Sequence, residues 1–272
     1  MKKYKVSEFS KWMGVSIKTL KHYEKFKILV PEKDEQTSYR YYNFTHGERI
    51  LRSKGLTSLG ISLNEISQYM NNKGMDEIVD ILTRCEEELS REMDAIRLKR
   101  KRIHELKEQC TLFMEKPNTW MIATRKPCYF IKHVQDKAFV ECEKMKNIVA
   151  DLMKCVPHTM KLAYLPQKEI ERNALDPIWG LGINGDTAEY LKLDVSEPVL
   201  FLKEEACFLY TYSQYATEIS MEEIMAKVLE IMKKQGYTPA GDVLIEGGID
   251  QYPNTKRVFQ LLIWVPISKN QR

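Results

Sequence analysis

Gly14-Val15-Ser16-Ile17-Lys18-Thr19-Leu20-Lys21-His22-Tyr23-Glu24 is the stretch on which the reading of this chain turns. Gly14 and Val15 break an amphipathic run in which Val6, Phe9, Trp12 and Met13 share one helical face. Ser16 is suited to cap a second helix, Ile17 to about Lys27. In that helix Ile17, Leu20 and Tyr23 face inward, while Lys18, Lys21, His22 and Lys25 face out. Two short helices across a tight glycine turn make a helix-turn-helix. Pro31 closes the unit. A polar loop from Glu32 to Ser38 leads to Tyr39-Arg40-Tyr41-Tyr42, which has the character of a strand or wing. Further helices are predicted at Thr45–Leu56 and Ser62–Asn71, the second with Ser62 and Glu65 at capping-box spacing.

Charge points the same way. Residues 1–75 carry 14 Lys and Arg against 7 Asp and Glu, although the 272-residue chain as a whole is only +4. A polyanion would therefore meet the first 75 residues. Lys18, Lys21 and His22 lie on the outer face of a helix sized for a major groove, with Ser16 at its start. Thr19 either reaches the groove or packs on the first helix. Arg40 can pair with phosphate, and Tyr39 or Tyr42 can donate to phosphate oxygens, one of the three tyrosines packing against the wing instead.

Outward from this head, a heptad runs through the next forty residues. Position a holds Met75, Leu82, Leu89, Ile96, Ile103 and Cys110; position d holds Ile78, Cys85, Glu92, Lys99, Leu106 and Phe113. No Pro or Gly interrupts residues 75–115. Such a helix, ~57 Å long at ~1.5 Å per residue, needs a partner for its stripe. A second copy in an antiparallel coiled coil is the simplest partner, with Glu92 and Lys99 setting register; the alternative is packing on its own domain.

After Pro117 the pattern changes. Strand Cys128–Val134, helix Lys137–Val156 and strands Lys161–Leu165 and Ile178–Ile183 are followed by strand Ala206–Tyr212, helix Met221–Gln235 and strands Val243–Ile249 and Val258–Pro266. The order strand-helix-strand-strand occurs twice, which predicts a duplicated α+β unit. The expected organisation is thus an α-helical winged helix-turn-helix at 1–74, a coiled-coil helix at 75–116 and an α+β effector domain at 117–272.

Several classes are set aside. The six cysteines (Cys85, Cys110, Cys128, Cys142, Cys155, Cys207) form no C-x-x-C pair and have no histidine at ligand spacing, so neither a metal site nor a cofactor is expected. The five histidines are scattered, and no Ser-His-Asp or Cys-His pairing can be argued, which speaks against an enzyme. The start has no apolar run long enough for a signal peptide, and no stretch approaches ~18 apolar residues. The cytoplasm is the expected location, with no membrane partner.

The first 70 residues resemble the MerR family of bacterial regulators. The resemblance is carried by Gly14-Val15-Ser16, by Thr19-Leu20-Lys21-His22-Tyr23-Glu24, by Pro31, by Tyr39-Arg40-Tyr41-Tyr42 and by Leu59-Gly60-Ile61-Ser62-Leu63-Asn64-Glu65-Ile66. Against the family pattern, Lys21 and His22 stand for Arg and Tyr, and Lys27 and Ser38 stand for glycines. The resemblance implies a homodimer on double-stranded promoter DNA, acting on RNA polymerase indirectly by distorting an overlong spacer.

The C-terminal half resembles the gyrase-inhibitor-like effector domain of multidrug-sensing members. The stretches concerned are Phe208-Leu209-Tyr210-Thr211-Tyr212, Gly241 to Glu246, and Leu261 to Ile267. In such domains a carboxylate on the penultimate strand lies in an aromatic pocket, and Glu246 matches it. A buried carboxylate is costly unless paired. A lipophilic cation could be the partner, with Tyr164, Trp179, Phe130, Phe208, Tyr210, Tyr212 and Trp264 as candidate walls. Alternatively, Glu246 faces solvent or pairs with a local Lys or Arg. The leading function is a ligand-responsive DNA-binding regulator. The others are a DNA-binding regulator without a ligand and a hydrolase-like domain fused to a DNA-binding head.

Overall fold

The computed structural model describes residues 1–72, 75–135, 138–140, 142–215, 220–249 and 258–269. They fall into two compact units, Met1–Ala95 and Ile96–Arg272.

In the first unit β1 (Tyr4–Lys5) leads into α1 (Val6–Met13), and α2 (Ile17–Lys25) follows a turn at Gly14. Gly14 has φ 62°, a left-handed value that glycine adopts without a Cβ clash. The second helix stops short of the predicted Lys27, because Lys27 itself has φ 55°. Next come β2 (Glu32–Lys33), β3 (Arg40–Tyr42), α3 (Phe44–Ser58) and α4 (Leu63–Asn72). The strands pair antiparallel in the order β1-β3-β2, forming a small wing. Phe9, Leu20, Tyr23, Ile28, Leu29, Tyr42, Ile50 and Ile66 make the core. Two residues expected inside are outside: Trp12 is 79% exposed and Ile17 40%. At 3.6 residues per turn, Trp12 lies ~120° around the helix from Val6, whereas Met13 stays on its face. Ile17 is the first residue of its helix, at the turn.

Helix α5 (Met75–Glu115) is 41 residues long. Its heptad is divided in use. Cys85, at a d position, is buried in the core of the first unit; Phe113, also at d, is buried against Leu209 and Leu262 in the second. The a residues Met75, Leu82, Leu89, Ile96 and Ile103 are exposed, and so are Val79 and Met93 at position e.

The second unit contains β4 (Trp120–Arg125), β5 (Cys128–Ile131), β6 (Val134–Gln135), β7 (Ala138–Phe139), α6 (Glu143–Lys154), β8 (Met160–Leu165), α7 (Gln167–Glu171), β9 (Ile178–Asn184), α8 (Gly185–Tyr190) and β10 (Leu200–Leu202). It continues with β11 (Glu205–Tyr215), α9 (Met221–Lys234), β12 (Tyr237–Pro239), β13 (Val243–Gly247) and β14 (Val258–Lys269). The predicted helix from Lys137 begins only at Glu143, with the β6–β7 pair before it; Lys137 lies outside the described residues. Strands β4, β10 and β12 and helices α7 and α8 were not anticipated.

A nine-stranded sheet has the order β10-β5-β9-β8-β13-β14-β11-β4, with β12 paired to β14. The pairings are antiparallel. The predicted duplication is visible in that order: β5-β9-β8 mirrors β11-β14-β13, and the halves meet where β8 pairs β13. The outer strands are exchanged. β4 precedes the first half in sequence but pairs with β11, and β10 precedes the second half but pairs with β5. Successive strand residues point to opposite faces. One face carries α6 and α9, with Ile131, Ile183, Ala163, Phe208, Tyr210, Ile245 and Ile263 against them. The other face presents Leu162, Leu209, Leu244, Leu262 and Trp264, and the last turns of α5 lie on it through Leu112 and Phe113.

Candidate functional site

The head of the first unit presents its charges as the helical period requires. Ser16 caps α2, its hydroxyl accepting from the Thr19 backbone N–H at 3.0 Å and lying 2.8 Å from the Thr19 hydroxyl. That pairing holds Thr19, half-buried, beside Ser16 at the helix start. Lys18, Lys21 and His22 are exposed, and the His22 ring packs edge-on against Phe26. On the wing, Asp34 Oδ1 accepts from the backbone of Gln36 and Thr37, tightening the turn into β3. Tyr39 is 59% exposed, with the Lys5 ammonium 5.6 Å from its ring centroid. Arg40 is half-buried and ion-paired to Glu24 at 3.5 Å.

Tyr42 is a correction. It was a candidate phosphate donor, yet it is 1% exposed, stacks on Phe9 at 4.8 Å and donates its hydroxyl to Glu24. Burial, and then Glu24, raise its pKa, so the donor is committed inside. On a three-residue strand, alternation sends Tyr42 to the face opposite Tyr41 and into the core.

In the second unit one sheet face, the end of β4 and α5 border a half-open cavity of about 250 Å³. Helix α5 contributes Arg102, Glu105, Glu108, Gln109 and Leu112. The β4 end contributes Thr124, Arg125 and Lys126; the sheet floor contributes Cys128, Met160, Leu162, Leu209, Leu244, Glu246, Leu262 and Trp264. Gly180 and Gly182 make the floor possible. A Cβ at Gly180 would meet the Phe130 ring at 2.6 Å, and one at Gly182 would meet Leu162 at 2.3 Å.

The cations of this cavity are already engaged. Glu105 takes Lys126 at 3.2 Å and Arg102 at 3.6 Å. Arg102 Nε donates to the Pro157 carbonyl at 3.2 Å. Arg125, 3% exposed, binds Glu205 at 2.6 Å and donates to the Asp242 carbonyl. Gln109 lines the cavity with Glu246, whose pKa is raised: desolvation, with repulsion from Glu105, outweighs the attraction of Arg102, Gln109 and Lys126.

Of the expected pocket residues, Glu246 and Trp264 line this cavity. Tyr164 stands on the same face beside Leu244 but donates its hydroxyl to Asp242 at 2.7 Å, and Phe130 packs against it at 5.5 Å between ring centroids. Trp179, Phe208, Tyr210 and Tyr212 are corrected. They occupy the opposite face, Phe208, Tyr210 and Tyr212 in the core under α9 and Trp179 half-buried against it. Phe208, Tyr210 and Tyr212 are alternate residues of one strand, so they share a face. Leu209, between them, pairs with Trp264 and turns to the cavity. Lys161 covers Trp179, 4.6 Å from its ring centroid. The residues of α5 were not anticipated. Their signal was the spacing 102, 105, 109, 112, one helical face distinct from the a positions.

The family match lies in the first unit. The model of the MerR HTH family regulatory protein matches residues 4–73. The multidrug-efflux transporter 2 regulator of Bacillus subtilis is 33% identical over 117 residues, 43% of this chain and 39% of that protein. The multidrug-efflux transporter 1 regulator of the same organism is 30% identical over 115 residues, 42% of this chain and 41% of that protein. The nodulation protein NolA of Bradyrhizobium elkanii is 26% identical over 105 residues, 39% of this chain and 47% of that protein. The matches thus span less than half the length of these relatives. The capped α2, the Gly14 turn and the three-stranded wing lie inside the matched segment, and residues 4–73 of this chain are a MerR-type helix-turn-helix domain.

Proposed function

We propose that this protein is a dimeric, DNA-binding transcription regulator whose second unit binds a small cationic molecule. The observation that carries the reading is Glu246: a carboxylate lining a cavity, with no ion-pair partner among the described residues, on a chain with an exposed basic recognition helix. Lys18, Lys21 and His22 would face base edges and phosphates of the major groove, with Ser16 and Thr19 at the helix start and Tyr39 and Arg40 on the wing against the backbone. The exposed stripe from Met75 to Ile103 is the surface for an antiparallel second copy. RNA polymerase would be affected through promoter geometry. Two relatives are named as regulators of multidrug-efflux transporters, in keeping with a lipophilic cation as effector.

The test is a mobility-shift titration of purified protein on a promoter fragment with a long spacer. Binding should weaken steeply with salt and with Lys21→Ala. Phenethylammonium should bind the wild type and lose at least tenfold in affinity with Glu246→Gln. Salt-insensitive DNA binding would refute the head; equal cation affinity in both proteins would refute the cavity.

A further inference from the structure

Three properties of the cavity narrow what it accepts. Its volume, about 250 Å³, is just below the ~300–1,000 Å³ of drug-sized pockets. Trp264 is its one aromatic wall among the described residues, the remainder being aliphatic, sulfur-bearing or polar. An aromatic cage for a bulky quaternary cation is therefore missing. The polar group set against Glu246 is an amide, Gln109, which α5 holds 8% exposed.

An amide has two faces. Gln109 and Glu246 both line the cavity, so the amide carbonyl oxygen and the carboxylate border the same space. A carboxylate and an amide oxygen side by side suit a donor with several N–H groups. A protonated primary amine has three; a quaternary ammonium has none.

We propose that Gln109 is a specificity-determining ligand contact, and that the cavity selects a compact protonated amine, which donates to Glu246 and to the Gln109 carbonyl together. This rests on the cation-binding reading above and deepens it. Loss of a hydrogen-bond donor at a site built to receive one is a strong discriminator, because the buried acceptors are then left unpaired. Helix α5 thereby supplies a ligand contact as well as the cavity wall. The neighbouring Glu105 stays occupied by Arg102 and Lys126, so a single positive charge suffices.

The experiment is calorimetric titration of the full chain with phenethylammonium and with its N,N,N-trimethyl analogue. Wild type should bind the primary amine at least tenfold tighter. Gln109→Leu should bring the two affinities within about twofold, while keeping DNA affinity near wild type. Gln109→Glu, which keeps an acceptor at the same length, should retain the preference and guards against a folding defect in the leucine variant. Glu246→Gln should weaken both ligands. Equal affinities in the wild type, or an undiminished preference in Gln109→Leu, would overturn the assignment of Gln109 and leave Glu246 standing. Binding of neither ligand would overturn the cation site itself.

Discussion

Glu24 joins Tyr42 to Arg40: its carboxylate accepts the buried tyrosine hydroxyl and lies 3.5 Å from the guanidinium on the neighbouring wing position. Core and wing are thus connected through one side chain of the recognition helix. A hydrogen bond to a charged group is worth about 1.5–3 kcal/mol, less here because Glu24 keeps its ion pair. Tyr42→Phe should lower unfolding stability by about 1–2 kcal/mol in urea while leaving DNA affinity within twofold. Arg40→Ala should do the reverse, weakening DNA binding and lowering the salt slope by about one. DNA affinity lost in Tyr42→Phe without loss of stability would restore Tyr42 as a contact.

Lys27 and Ser38 have φ of 55° and 54°, where the family pattern carries glycine. A side chain in the left-handed region costs about 1–2 kcal/mol, and glycine gives back about 0.5–1 kcal/mol through the unfolded chain. Lys27→Gly and Ser38→Gly should each raise stability by about 0.5 kcal/mol. Denaturant midpoints measure this, and a fall in either would show that the lysine or serine side chain offsets the strain.

Gly182→Ala and Gly180→Ala should damage the second unit. The added methyl would sit 2.6 Å from the Tyr129 carbonyl at Gly182 and 2.1 Å from the Ile131 carbonyl at Gly180, so backbone must move. Overpacking costs about 1–3 kcal/mol or more. The first unit has its own core, so DNA binding should persist while the second unit melts earlier in calorimetry. An unchanged melt would mean that the strands separate freely at β9.

Glu246 makes stability fall as pH rises. Burial lifts its folded pKa above the ordinary carboxylate value, so between the two values the folded state holds the extra proton. Stability is therefore greatest below the ordinary carboxylate range and declines as pH climbs through the raised value. Glu246→Gln removes this slope. The variant should gain thermal stability over wild type at pH 8 and little at pH 4. A gain that is equal at both pH values would place the ionisation of Glu246 outside this window.

Much of the head was legible because its signals are local. A capping serine, a glycine at the turn and apolar residues at helical spacing act within a few residues, and α1, α2 and the wing lie near their predicted places. Trp12 was misplaced because spacing of three or four residues leaves ~120° of latitude, and only the neighbouring helices decide where burial ends. The duplicated strand-helix-strand-strand pattern was legible as well, but not its exchanged outer strands, since pairing of β4 with β11 joins residues eighty or more positions apart.

The cavity shows the same division. The sequence by itself determined that Phe208, Tyr210 and Tyr212 share a face, because alternation is a property of one strand. It also determined that Glu246 interrupts an apolar run. Only the tertiary structure decided which face meets which, through the register that sets Glu246 beside Leu162 and Leu262 and turns the three aromatics toward α9. It likewise decided that Gln109 comes from the long helix to the carboxylate. Helical period says which residues of α5 lie together, but hydrogen bonds between strands and the packing of one helix on a finished sheet determine what they touch.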